Sequence, residues 1–183
     1  YMDMDVSVSG TITVKDFEWP WVIGGGVAWD ANEKLMLALD LKYIGWESAM
    51  KDFKMNFKAD NSAENGAFAD LEIDATLYQN WENQLVIALG GAYEATEALT
   101  LRGGYNYGKN PVPDQYVNAL FPAIVEHHIT LGAGYDWGKN GLNGSFQTAL
   151  ENSATNPGNG TTMFPVESTH KQYNFQFMYS RAF

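Results

Sequence analysis

The chain has 183 residues, 22 acidic against 11 basic side chains, a formal charge of −11 and no Cys. Without Cys there is no disulfide framework and no thiol or Cys-ligated metal chemistry, and an acidic chain lacking any Lys/Arg cluster gives a nucleic-acid groove no electrostatic support. A mean hydropathy of −0.28 and the lack of any apolar run of about 18 residues exclude a helical membrane protein, but not a β-barrel, whose spanning strands are only half apolar.

Period-2 runs bounded by turn residues predict eight strands, and no helix-length segment competes with them. The first, Met4–Val14, leads through a short connection around Asp16–Pro20 to Trp21–Trp29. Its Gly24-Gly-Gly26 reads as a bend or a place of close approach, because no Lys-Ser/Thr and no helix follow to make a phosphate loop. A tight turn at Asp30-Ala-Asn-Glu leads to Leu35–Trp46. The long stretch Glu47–Asn83 alternates as well: Phe53, Met55 and Phe57 against Lys54, Asn56 and Lys58, then Leu71, Ile73 and Ala75 against Glu72, Asp74 and Thr76. The third and fourth strands are therefore expected to continue as a hairpin turning near Asp60–Gly66. That turn resembles a calcium loop in composition alone, since its glycine comes one place late and position twelve is Leu71. It reads as a solvated turn.

Gln84–Tyr93 follows, then the tight turn Ala95-Thr-Glu-Ala and Leu99–Tyr107. A long loop, Gly108–His127, precedes His128–Trp137; the tight turn Gly138-Lys-Asn-Gly joins this to Leu142–Leu150, and a second long loop, Glu151–Gln172, precedes Tyr173–Phe183. Short turns at one end and long loops at the other are the habit of outer-membrane barrels, with the short ones periplasmic. The connection around Asp16–Pro20 is the one exception.

The last strand alternates aromatic and polar residues and ends on Phe183, as outer-membrane barrels do. In a strand successive side chains point to opposite faces, so Tyr173, Phe175, Phe177, Tyr179 and Phe183 share one. Elsewhere, Leu35 to Leu41 lead to Tyr43, and Leu85 to Leu89 lead to Tyr93; Trp29, Tyr93, Trp137 and Tyr179 fall where a periplasmic girdle belongs. The opposite faces hold Asp40, Lys42, Arg102 and Asp136 among Gly, Ala, Ser, Thr and Asn. Two sheets of a soluble sandwich could not bury such charges between them, so this face is read as a lumen and the chain as an all-β, antiparallel transmembrane β-barrel.

Arg102 is the first candidate for holding a ligand carboxylate, because guanidinium grips carboxylate bidentately. The competing reading, an internal salt bridge with Asp40 or Asp136, is favoured because lumen charges usually pair. Lys42 has the same two readings. Adjacent strand residues His127 and His128 point to opposite faces and cannot chelate one ion, so no metal is expected there; Glu126 and His128 share a face and are expected to pair. The apolar loop with Val112, Leu120, Phe121 and Ile124 is either a capture surface for apolar ligands or a plug packed on itself over the mouth. No Ser/His/Asp constellation or isolated carboxylate pair is legible, and no cofactor is called for.

The run Leu99-Thr-Leu-Arg-Gly-Gly-Tyr-Asn-Tyr-Gly-Lys-Asn-Pro-Val-Pro-Asp-Gln115, followed by Glu126-His-His-Ile-Thr-Leu-Gly-Ala-Gly-Tyr135, resembles the C-terminal half of the FadL/TodX family of outer-membrane hydrophobic-compound transporters. Asp40-Leu-Lys-Tyr-Ile-Gly-Trp46 and the closing Tyr-Ser-Arg-Ala-Phe183 resemble it too, in the same order, so the likeness runs from about Trp19 to Phe183. The resemblance implies a fourteen-stranded barrel with an inward-folded N-terminal plug, passing long-chain fatty acids or aromatic hydrocarbons through the outer membrane. Eight strands alone would close on an interior just filled by side chains. Lumen positions so rich in Gly, Ala and Ser would underpack it, so residues 1–183 are read as one partial barrel domain lacking the plug and first strands. Tyr1 in place of Met, with no signal segment, fits a processed or truncated chain. The expected function is passive transport of hydrophobic molecules, not catalysis, with outer-membrane lipid, lipopolysaccharide, an apolar ligand and the rest of the barrel as partners. Two alternatives stay open: a small structural or adhesive barrel, and a barrel-borne lipid-modifying enzyme.

Overall fold

The computed structural model describes residues 7–158 and 164–182. Residues 4–6 of the first predicted strand, Tyr1 and Phe183 lie outside them. Ten strands are described: β1 (Gly10–Lys15), β2 (Val22–Asn32), β3 (Leu35–Ile44), β4 (Asp52–Ala59), β5 (Glu72–Tyr78), β6 (Gln84–Glu94), β7 (Leu99–Gly108), β8 (His127–Trp137), β9 (Asn140–Asn156) and β10 (Val166–Arg181), with a one-turn helix α1 (Trp46–Ala49) between β3 and β4. Seven form the main sheet in the order β10-β9-β8-β7-β6-β3-β2, and β1-β4-β5 form an upper sheet; every pairing is antiparallel.

Local chemistry sets the short turns. Asn32 Oδ1 accepts the Lys34 N–H at 2.9 Å, and Thr96 Oγ1 accepts those of Ala98 and Leu99 at 3.2 and 3.0 Å. Gly138 takes φ +60 at the first central position of the two-residue β8–β9 turn, a conformation costly for any residue with a Cβ. All three turns lie at one rim of the main sheet.

The expected hairpin around Asp16–Pro20 does not form. Val22 pairs Ile44 and Lys15 pairs Lys54, so β1 and β2 run in the same sense beside β3 and β4, as one strand broken in the middle. Asp16 in the left-handed region (φ 55) and Pro20, which has no N–H to donate, interrupt the ladder, which resumes where Gly45 N donates to Trp21 O at 2.9 Å. The main sheet thus has seven strands rather than eight, and the short outer connection disappears. The β4–β5 hairpin forms as expected, but α1 and residues 79–83 separate it from β3 and β6. β9 and β10 run past Leu150 and start before Tyr173, through an irregularity between His170 and Gln172, into the predicted loop.

Register arranges the main sheet in rungs. Asp30, Met36, Ala92, Arg102, Gly132, Ser145 and Gln176 lie on one rung of the polar face; Val27, Leu39, Leu89, Tyr105, Ile129, Thr148 and Tyr173 lie on one rung of the other. The described residues leave that apolar face uncovered: Leu131 is 59% and Phe177 80% exposed. Six of the eight buried hydrophobic residues among those described cluster elsewhere, at the loop rim. An antiparallel sheet with an uncovered apolar face on one side and a polar face on the other matches a wall between lipid and a lumen. Rings mark both edges of the apolar band: Tyr135 stacks on Trp137 at 5.8 Å at the short-turn rim, while at the loop rim Trp21 meets Tyr43 at 5.6 Å and His127 meets Tyr107 at 5.0 Å.

In the upper sheet Ile12, Phe57 and Ile73 share a rung of the apolar face, and Phe53, on that face too, meets Phe121 of the β7–β8 loop at 5.0 Å. The opposite face is polar: Asn56 Nδ2 donates to Glu72 and Asp74 at 2.8 and 2.9 Å, and Lys15 Nζ lies 3.1 Å from Asp74. Those contacts, the Asn56 hydrogen bond first and Lys15 second, hold the Asp74 carboxyl below the ordinary carboxylate range. The linkage therefore stabilises the sheet above the unfolded carboxylate's pKa and is lost as pH falls through the lower folded value. A carboxyl titration by NMR should place Asp74 below its neighbours, and Asn56→Ala should bring it back up.

Candidate functional site

On the polar face Arg102 extends from β7 across β8 to donate from Nη1 to Asn143 Oδ1 on β9 at 3.1 Å. It can do so because β8 presents glycines there: a Cβ on Gly134 would stand 2.8 Å from the guanidinium and closer still to Asn143 Oδ1. Neither expected acidic partner reaches it. Asp40 is level with Asn106 and Asp136 lies four residues beyond Gly132, each about 13 Å along the strands from the Arg102 rung. Arg102 therefore makes a neutral hydrogen bond and no ion pair with a described residue. Arg102, Thr130, Gly132, Asn143, Gln176 and Met178 line a groove of about 700 Å³ on this face.

Lys42 is also on the lumen face and also without an ion pair among the described residues, but it is level with Val86, whereas Arg102 is level with Ala92. Six residues of strand, about 20 Å, separate their rungs. One head group cannot be clamped by both.

The loop residues divide. Val112 and Ile124 are buried with Val117, Met50, Trp81 and Ala154 in one small core, against which Trp46, Tyr116, Phe121 and Ala123 pack. Leu120 stays exposed. Glu126 does not pair with His128; its carboxylate accepts the Asn110 N–H at 2.7 Å, and His128 Nδ1 is buried without a partner. His127 points to the apolar face, with Nδ1 2.6 Å from Tyr105 Oη. In the turn that resembles a calcium loop, Asn65 is a staple, donating to Ser9 and Asp60 carbonyls and accepting from Ser9 N. Sequence reasoning missed Asn143 as the partner of Arg102, and Asn152 and Asn156 as anchors of the loop. Their even spacing around Ala154, on one strand face, was the available signal.

The polar groove, the lipid-type face and the two aromatic edges meet in a single wall. A family model described as outer membrane protein transport protein (OMPP1/FadL/TodX) matches residues 4–183. The chain belongs to this family. Among solved structures, the FadL/TodX wall seen here resembles the toluene transporter TodX of P. putida at 28% identity and TM-score 0.73, over 96% of this chain and 37% of that one. It also resembles the toluene transporter TbuX of Ralstonia pickettii (23%, TM-score 0.67, 94% and 36%) and a Pseudomonas aeruginosa FadL homologue (17%, TM-score 0.59, 87% and 34%), which carry the likeness of fold alone. The chain thus spans little more than a third of the solved structures it matches. No curated protein matches it. For a FadL/TodX member the short-turn rim is the periplasmic one and the loop rim faces outward. All short turns now fall on one side, without the exception expected from sequence.

Proposed function

We propose that this wall belongs to an outer-membrane channel through which hydrophobic small molecules, such as long-chain fatty acids or aromatic hydrocarbons, pass without cofactor or energy source, and without chemical change. Further strands and an inward plug would complete the barrel, with membrane lipid and lipopolysaccharide around it. The observation that carries the reading is Arg102, a guanidinium with no anionic partner among the described residues, in a groove with Met178 and small residues. An uncompensated cation beside apolar surface suits an amphiphile's acidic head and tail. Leu120 and Phe121 would meet the ligand first; Val112 and Ile124 would hold the loop that presents them; Lys42 would attract acids nearer the mouth.

The test is binding and uptake of one labelled fatty acid and one aromatic hydrocarbon. Arg102→Met should weaken fatty-acid binding about tenfold or more, the worth of one charge-assisted hydrogen bond, and leave the hydrocarbon unaffected. Leu120→Ser with Phe121→Ser should slow uptake of both. Uptake of neither compound by the unaltered protein would sink the transport reading in favour of a structural or adhesive barrel.

A further inference from the structure

Loops usually run over the surface with water on their backbone groups, but residues 109–126 do not. Six of this loop's carbonyls are taken by donors from the wall beside it. On one side Glu82 N donates to Pro111 O and Gln84 Nε2 to Lys109 O, both at 2.7 Å. On the other, Asn152 Nδ2 donates to Ile124 O at 2.7 Å, Asn156 Nδ2 to Gln115 and Val117 O at 3.0 Å each, and His170 Nδ1 to Pro122 O at 2.9 Å.

Those anchors are on the lumen side. Gln172 pairs Ala149 and His170 pairs Asn152 across the irregularity, which keeps His170 on the face of Gln172, Asn174 and Gln176. The loop thus reaches from the β6 side of the wall to β9 and β10 along its inner surface, above the rung of Asp40, Asn106 and His128. Between its two sets of anchors lies the core of Val112, Val117 and Ile124 against Met50, Trp81 and Ala154. Pro111, Pro113 and Pro122 remove backbone freedom that the loop would otherwise lose on ordering. Anchored carbonyls, a dry core and three prolines make a stationary element, and apolar side chains across a passage exclude water and ions.

We infer that residues 109–126 form a fixed collar that closes the outer mouth above the Arg102 groove and keeps water-borne solutes out of the lumen. The collar is a permeability barrier in its own right, whatever ligand the groove takes.

These 183 residues hold no Cys, so once any Cys elsewhere in the full protein is replaced by Ser, a single Thr130→Cys, on the lumen wall below the collar, is an unambiguous reporter. Intact cells producing the full protein would be treated with a charged, membrane-impermeant maleimide. Labelling should be slow with the collar anchored and about tenfold faster or more when Asn152→Ala and Asn156→Ala remove three of its hydrogen bonds. Equal rates in the two backgrounds would overturn the inference: fast in both means the mouth is open, slow in both means another element closes it. Each variant is checked for the compact band of a folded barrel in an unboiled gel. If the double variant does not fold, His170→Ala, which leaves both Asn anchors in place, should give a smaller rise, and no rise with it would be equally fatal.

Discussion

Arginine at Leu89 is expected to destabilise the folded protein in lipid by about 2–4 kcal/mol, whereas arginine at the adjacent Ala88 should cost less than about 1 kcal/mol. Leu89 sits on the apolar rung of Leu39 and Tyr105, so a charge there has no water and no partner within reach. Ala88 lies on the other face, directly opposite Asp40, where a cation gains an anion across the strands and stays hydrated. Reversible guanidinium unfolding of the protein in vesicles measures both. Equal costs for the two neighbours would reject the assignment of lipid and lumen faces, on which the rest of the mechanism depends.

Ile124→Ala is expected to loosen the β7–β8 loop by about 2–5 kcal/mol, the range for a large aliphatic side chain removed from a packed site. Ile124 is fully buried, and the core it belongs to is small, so few neighbours can move in to fill the space. Hydrogen exchange should speed up at the amides of residues 109–126 while the β8, β9 and β10 ladders keep their protection. Unchanged exchange in the loop would mean that the core does not hold it.

Much of the wall was legible because its signals are local. The alternation at Leu35–Leu41, Leu85–Leu89 and Tyr173–Tyr179 fixes which side chains share a face, and the turn residues at Asn32, Thr96 and Gly138 stop the strands where the structure stops them. The candidate site was less legible. Arg102 was placed on the right face, but its partner was not readable, because pairing depends on register across two further strands and on the glycines that let the side chain lie flat. For Val112 and Ile124 the choice between a capture surface and a loop packed on itself stayed open, because apolar residues in a loop carry no mark of what covers them; the covering residues, Met50 and Trp81, lie more than 30 positions away in sequence.

The amino-acid sequence by itself determined the all-β architecture, the two faces, the aromatic edges and the alternation of short turns and long loops, since each follows from the two-residue period of a strand and from the conformational limits of single residues. Only the tertiary structure decided that β1 continues β2 instead of turning back, that Arg102 meets Asn143 and no acid among the described residues, and that residues 109–126 fold inward on Asn152, Asn156 and His170. These depend on which distant segments come to lie side by side, and period carries no information about that.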